Sequence, residues 1–289
     1  MVTKVKTGIV FEGGAFRTIF SCGVMDALVE NDIMPDYMIG VSAGAAYGVS
    51  MASKQPRRNL DVLMKYRNDK RYLGLSNMID KDNKSIYGLE FSYETIPNEL
   101  NLFDYDAFKQ YKGDFYCVVT NLLTGQPEYM KYTGDDRTNT VLKATCALPM
   151  LFPPIIINDV PYMDGGLSDS IPYLKAIEDG CDRIIVVLTR QSGYTKKTSR
   201  STKAIAYSYR NQYPKLTETM LTRASRYNES LKGLDQYVKE GRIITIQPTT
   251  SKGFSRLEKD KNKILSMYND GYNQCYELLD TIKEFYGIK

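Results

Sequence analysis

Residues Thr7 to Phe11, TGIVF, form a short apolar run that ends in the glycines of EGG, and the following FRTIFSCGVMDALVEN repeats apolar residues at helical spacing. This predicts a strand, a glycine turn and a helix. The arrangement recurs at once, with YMIGV as a buried strand, Ser42 at the turn and AGAAYGVSMA as a small-residue helix. Two such units in succession predict a parallel sheet covered by helices. Residues 56–112 are mixed and polar, with helical pieces at 60–67 and 105–111, and are expected at the periphery. DFYCVVTNL and PEYMKYT then read as strands, 138–146 as a helix ending before the proline-rich ALPMLFPP, 172–179 as a helix and RIIVVLT as a buried strand. After residue 190 the character changes. A basic, serine- and threonine-rich KKTSRSTK leads into long helical patterns rich in tyrosine, one strand RIITIQP that could extend the sheet at its edge, and a last helix over 262–285.

At 289 residues the chain is as large as a single core usually grows, so one large domain with an appendage is expected, with a nominal boundary near 195. The 43% hydrophobic and 25% charged shares are those of a soluble globular protein. A net charge of +4, spread along the chain, gives no support to a nucleic-acid binder. The five cysteines, Cys22, Cys117, Cys146, Cys181 and Cys275, are scattered without CxxC pairs, which points away from a disulfide framework or a zinc site and toward a reducing cytoplasm. The N-terminus reaches glycines and a glutamate before any run long enough for a signal peptide, and no stretch approaches the ~20 apolar residues needed to span a bilayer. A cytoplasmic protein is expected, one that can still work peripherally at a membrane surface.

The stretch GVSAG, Gly40 to Gly44, has the GxSxG form that presents a nucleophilic serine, yet the chain contains no histidine. Ser42 reads either as a nucleophile on a sharp strand-to-helix turn or as the N-cap of a glycine-rich helix. The small residues Gly40, Ala43, Gly44 and Ala45 suit the turn. A histidine-based triad is excluded by the count, and a serine–lysine arrangement lacks its SxxK spacing, because Ala45 stands three residues after Ser42. A carboxylate remains as base. Asp164 in YMDGGLSDSIP is the marked candidate, with a turn as its ordinary alternative. An aspartate of pKa ~4 is a weak base for a hydroxyl, so the oxyanion must be well stabilised. Gly13 and Gly14 of EGGAFR offer backbone N–H groups for that purpose, or for a phosphate, although neither the GxGxxG fingerprint nor the P-loop sequence is present.

These segments resemble, in order, the motifs of the patatin-like phospholipases, serine acyl hydrolases that use a Ser–Asp dyad. EGGAFRTIFSCGVMDAL is similar to their oxyanion loop and helix, GVSAG to their nucleophile elbow, ALPMLFPP to their proline-rich segment and YMDGGLSDSIP to their aspartate motif. The resemblance covers about residues 7–190. It implies a three-layer α/β/α fold with a mainly parallel sheet, a catalytic domain over 1–195 and a mostly helical C-terminal extension over 196–289 packed on it. It further implies Ser42 as nucleophile, Asp164 as base, Gly13, Gly14, Ala15 and Arg17 at the oxyanion loop, and Gly40, Gly44, Gly165 and Gly166 as motif-supporting glycines. Ala15 and Thr18 stand where the family often has glycines, and Ser170 where it often has asparagine.

The implied function is hydrolysis of carboxylic esters of lipids, of phospholipase A, lysophospholipase or esterase type, with no metal or organic cofactor and a lipid or small ester as substrate. The alternatives are a non-catalytic lipid-binding or regulatory protein on a degenerate scaffold and an acyltransferase using the same dyad. Leu148, Met150, Leu151 and Phe152 are candidates for an acyl channel or for core packing. Lys196, Lys197, Arg200 and Lys203 are candidates for anionic headgroups or for a solvated loop.

Overall fold

Eight strands form one sheet in the computed structural model, which describes residues 5–80 and 83–288. They are β1 (Thr7–Phe11), β2 (Tyr37–Val41), β3 (Asp114–Asn121), β4 (Pro127–Lys131), β5 (Ile155–Ile157), β6 (Val160–Asp164), β7 (Arg183–Val187) and β8 (Ile243–Ile246). Their order is β5-β6-β3-β2-β1-β7-β8, with β4 also beside β3. The run β3-β2-β1-β7-β8 is parallel, while β4 and β6 pair antiparallel with β3, and β5 with β6. The sheet is therefore mixed and mostly parallel, as the repeated strand-turn-helix pattern requires.

The helices are α1 (Ile19–Glu30), α2 (Ala43–Ala52), α3 (Arg58–Tyr66), α4 (Ser76–Ile79), α5 (Tyr105–Gln110), α6 (Thr140–Cys146), α7 (Tyr173–Glu178), α8 (Arg200–Ser208), α9 (Pro214–Lys239), α10 (Lys261–Glu277) and α11 (Leu279–Tyr286). β1 is buried along its whole length and divides two cores by its alternation. Ile9 and Phe11 join the core built with α1, α2, α3, α10 and α11, and Val10 joins the core built with α7 and α9. This is a three-layer α/β/α arrangement.

The tail is part of both layers. β8 continues the parallel sheet beside β7, and α10 lies along α1. Contact there is close because each helix offers a glycine: a Cβ on Gly23 would overlap the Tyr268 carbonyl, and one on Gly271 the Phe20 carbonyl. Covered in this way, α1 is buried from Ile19 through Leu28, which fits a sequence that is apolar around most of its circumference. The five cysteines are buried as free thiols.

Asp26 is the carboxylate inside that buried stretch. One of its oxygens accepts the Tyr268 hydroxyl at 2.7 Å and the Arg57 N–H at 2.9 Å. Burial raises its carboxyl to about 6, and those two hydrogen bonds offset only part of the effect. A carboxyl raised in the folded state stabilises the protein below its unfolded value of ~3.9, and that contribution is lost as pH rises through about 6. Asp26→Asn keeps an acceptor but cannot ionise. Between pH 4 and pH 8 it should therefore gain on the order of 2–3 kcal/mol relative to wild type. Urea midpoints of both proteins at the two pH values check this; parallel pH curves would refute it.

The expected peripheral position of residues 56–112 is not what the structure shows. Tyr66, Phe91, Ile96, Phe103, Tyr105 and Phe108 all enter the core that contains α1 and α2. A π-helix over Phe91–Leu100 carries Pro97 in its interior, and its backbone breaks the periodicity by which a helix is recognised in sequence.

Candidate active site

Ser42 follows the last residue of β2 and precedes the first of α2. Its backbone has φ 55° and ψ −129°, a conformation that L-residues rarely adopt and that holds the side chain out of the turn. The turn closes tightly: a Cβ on Gly40 would overlap Ala45, and one on Gly44 the Phe11 carbonyl. The Ser42 carbonyl accepts the N–H groups of Ala45 at 3.0 Å and Ala46 at 3.1 Å, while its side chain makes no capping hydrogen bond. The hydroxyl is thus not spent on the helix. The Ser42 N–H donates to the Thr145 hydroxyl at 2.9 Å, which donates in turn to the Val118 carbonyl at 2.5 Å. Thr145 was not found from sequence, because its link to the elbow spans 103 residues with no local signal.

Strand register brings Asp164 to Ser42. β3 pairs with β2 up to Val118, opposite Val41, and with β6 from Val119, opposite Asp164. β4 overlaps both pairings, from Tyr116 to Thr120, so it occupies the other edge of β3. β2 and β6 therefore share one edge end to end, and the residue after Val41 meets the last residue of β6.

Asp164 is buried, with Oδ1 accepting the Gly166 N–H at 2.8 Å. Its Oδ2 is buried without a hydrogen-bond partner among the described residues. Burial raises the carboxyl above its ordinary value, while the facing Ser42 hydroxyl, the Arg223 charge and the Gly166 N–H favour the ionised form. Ser42 and Asp164 thus line one small cavity, with the hydroxyl close enough to favour the ionised carboxylate but not hydrogen-bonded to it. Gly165 lies against Val118, where a Cβ would overlap the carbonyl. The Gly166 carbonyl accepts from Arg223 Nε and from Ser170 Oγ, the latter at 2.9 Å. Cys146 also faces this site, but burial pushes its thiol up to about 12, so it stays protonated.

The loop after β1 packs on the elbow, where a Cβ on Gly13 would lie 2.7 Å from the Val41 carbonyl and 2.8 Å from Ser42 Cβ. Glu12 N–H donates to the Val187 carbonyl, Phe16 N–H to the Arg256 carbonyl and Arg17 N–H to the Gly14 carbonyl. Between them, the N–H groups of Gly13, Gly14 and Ala15 have no acceptor among the described residues. Ala15 has φ 50°, the left-handed conformation that favours glycine, so the loop keeps a glycine-like shape without the glycine. Arg17 is buried, and its Nε has no partner among the described residues.

An apolar cavity of about 130 Å³ opens beside Ser42. Leu148 and Phe152 line it, whereas Met150 is exposed to solvent and Leu151 packs against a separate cluster around Leu122 and Met163. Much of the wall comes instead from residues 56–112, including Val62, Tyr72, Tyr87 and Ile96. A second, smaller cavity touches Ser42 and Asp164 and is lined by Lys196. Lys197, Arg200 and Lys203 are exposed. Among the described residues no group of three or more His, Cys, Asp or Glu side chains is arranged to hold a metal ion.

A family model for patatin-like phospholipase matches residues 9–177, which contain the elbow, the loop and Asp164. The chain belongs to this family. Relatives of the chain include the uncharacterised protein YjjU of Escherichia coli, 27% identical over 196 residues, which are 64% of this chain and 52% of YjjU. They also include lysophospholipase nte1 of Aspergillus terreus, 29% identical over 193 residues, 63% of this chain and 12% of that protein. The chain thus spans about half the length of one relative and about an eighth of the other. The crystal structure of VipD from Legionella pneumophila is similar at a TM-score of 0.46 and 15% identity, over 96% of this chain and 67% of VipD. A second model, a domain of unknown function (DUF6363), matches residues 213–287. Arg223 and Arg256 lie in that second segment, outside the patatin-like phospholipase match, yet both line the smaller cavity at Ser42.

Proposed function

We propose that the protein is a serine acyl hydrolase that cleaves carboxylic esters of lipids through Ser42 and Asp164 without histidine. The observation that carries this reading is the strained elbow that holds Ser42 facing a buried carboxylate oxygen with no other partner. Ser42 Oγ attacks the ester carbonyl and its proton passes to Asp164 Oδ2. The N–H groups of Gly13, Gly14 and Ala15 receive the oxyanion. Collapse expels the alcohol, which takes the proton from Asp164, and leaves the acyl group on Ser42. Water, deprotonated by Asp164, then attacks the acyl carbon; collapse breaks the bond to Ser42 Oγ, which takes the proton back from Asp164, and the acid is released. The apolar cavity suits an acyl chain, and membership of the phospholipase family together with relatives named lysophospholipase supports a lipid ester as substrate.

A fluorophosphonate probe tests the reading against a degenerate, non-catalytic scaffold. It should label the wild-type protein at Ser42, located by peptide mass, and leave Ser42→Ala unlabelled. Absence of labelling, or labelling of another residue, would overturn it.

A further inference from the structure

Ser42, Ala15 and Leu148 line both cavities, so the candidate nucleophile stands between two spaces of opposite character. The larger is apolar. The smaller, about 50 Å³, is walled by Arg17, Arg190, Lys196, Arg223 and Arg256, facing the carboxylates of Glu12 and Asp164. Five cations against two carboxylates leave a formal charge of +3. Its volume exceeds the ~10–15 Å³ that one water requires.

The two carboxylates do not neutralise this wall. Glu12 accepts the Thr189 N–H at 2.6 Å, the Thr189 hydroxyl at 3.0 Å and the Tyr227 hydroxyl at 2.9 Å. Among the described residues none of the five cations forms an ion pair with a carboxylate. Arg17 is only 6% exposed and keeps an unpartnered Nε, an expensive state for a buried cation. Lys196 Nζ lies 3.6 Å from the centre of the Tyr227 ring, and Arg190 reaches the Ser251 hydroxyl at 3.5 Å with its guanidinium 4.4 Å from the centre of the Tyr194 ring. Burial first, and the neighbouring cations next, lower Arg17 to about 10; burial and Arg223 lower Lys196 to about 7. An excess of cations around one cavity favours an anion in it. A phosphoryl group, with several acceptor oxygens and a full charge, matches guanidinium donors converging from different directions.

We infer that the smaller cavity takes the phosphoryl group of the substrate's alcohol half, so that acyl esters bearing an anionic phosphate headgroup are preferred over those bearing choline. This rests on Ser42 being the nucleophile: with the ester carbonyl at Ser42, the acyl chain enters the apolar cavity and the leaving alcohol lies among the cations. A trimethylammonium group there would add a further positive charge. The segment from Arg190 onward, which supplies four of the five cations, thereby sets headgroup choice.

The test compares kcat/KM for lysophosphatidic acid, lysophosphatidylcholine and monoacylglycerol of one acyl chain. Wild type should favour the phosphate over the choline headgroup by about ten- to a hundred-fold, the size of one hydrogen bond to a charged group. In Arg190→Gln/Arg256→Gln, and separately in Lys196→Gln, kcat/KM for lysophosphatidic acid should fall at least about ten-fold further than that for monoacylglycerol. Equal losses on all esters, or a wild-type preference for choline, would overturn the inference. Calorimetric titration of Ser42→Ala keeps it testable without turnover. Tighter binding of lysophosphatidic acid than of lysophosphatidylcholine supports it even where wild type hydrolyses no ester, an outcome that removes the hydrolase reading alone. Inorganic phosphate raising the melting temperature while headgroup preference is absent would mark a free-phosphate site and overturn the headgroup assignment.

Discussion

Ser42→Ala should lower kcat for ester hydrolysis by at least about a thousandfold, and by up to about a millionfold if nothing else in the site can attack the carbonyl. Removing the hydroxyl leaves the loop N–H groups and the apolar cavity in place, so substrate still binds and KM should change little. The neighbouring Cys146 cannot substitute, because burial holds its thiol protonated. Retained turnover would mean that Ser42 is not the nucleophile. Ser42→Gly provides the complementary measurement. It abolishes the same chemistry but releases a backbone held at φ 55° and ψ −129°, a conformation that costs a non-glycine residue on the order of 1–3 kcal/mol. Part of that gain is cancelled by the greater freedom of glycine in the unfolded chain, about 0.4–1 kcal/mol. In chemical denaturation Ser42→Gly should therefore be more stable than Ser42→Ala while equally inactive; equal stabilities would show that the elbow stores no strain.

Asp164→Asn should also lower kcat by at least about a thousandfold, because the amide can still accept the Gly166 N–H but cannot take a proton from Ser42. A variant with near wild-type turnover would show that another group is the base. The pH profile adds a second check. Burial raises the Asp164 carboxyl above the ~3.9 of a free aspartate, and only its ionised form can act as base. Activity should be complete above that raised pKa and fall as pH drops through it, with a midpoint above the ordinary aspartate range. Stability runs the opposite way for the same group: its contribution is present below the unfolded value and is lost as pH rises through the folded one. The wild-type protein should thus lose activity on the side where this residue favours folding, and Asp164→Asn should remove the group's part in both curves.

The strand-turn-helix units at the start of the chain were legible because their signals are local: an apolar run, glycines and a helical period. The same is true of the elbow and of the DGG turn, whose small residues are demanded by close backbone approach. Other parts depend on contacts that no local pattern encodes. The part of the cavity wall that comes from Phe91–Leu100 escaped notice because a π-helix with an internal proline does not repeat every 3.6 residues. Thr145 is an ordinary helical threonine until register places it between β2 and β3. The basic stretch after residue 195 read as one feature, but the structure divides it, turning Lys196 inward and leaving Lys197, Arg200 and Lys203 in solvent. Arg190, Arg223 and Arg256 carry no common motif; only the fold brings them to one cavity.

The shared edge of β3 makes the separation of Ser42 from Asp164 a matter of counting residues. Val118 is aligned with Val41 and Val119 with Asp164, so the two candidate groups are spaced by one step along a central strand rather than by flexible connections. One residue inserted or deleted there would slide the carboxylate by ~3.3 Å and turn the following side chains to the opposite face of the sheet. The long segment between α2 and β3 is free of that constraint and can change length while Ser42 and Asp164 keep their spacing. The walls of the cavities can therefore diverge while the ruler that spaces the two candidate groups stays fixed in β3.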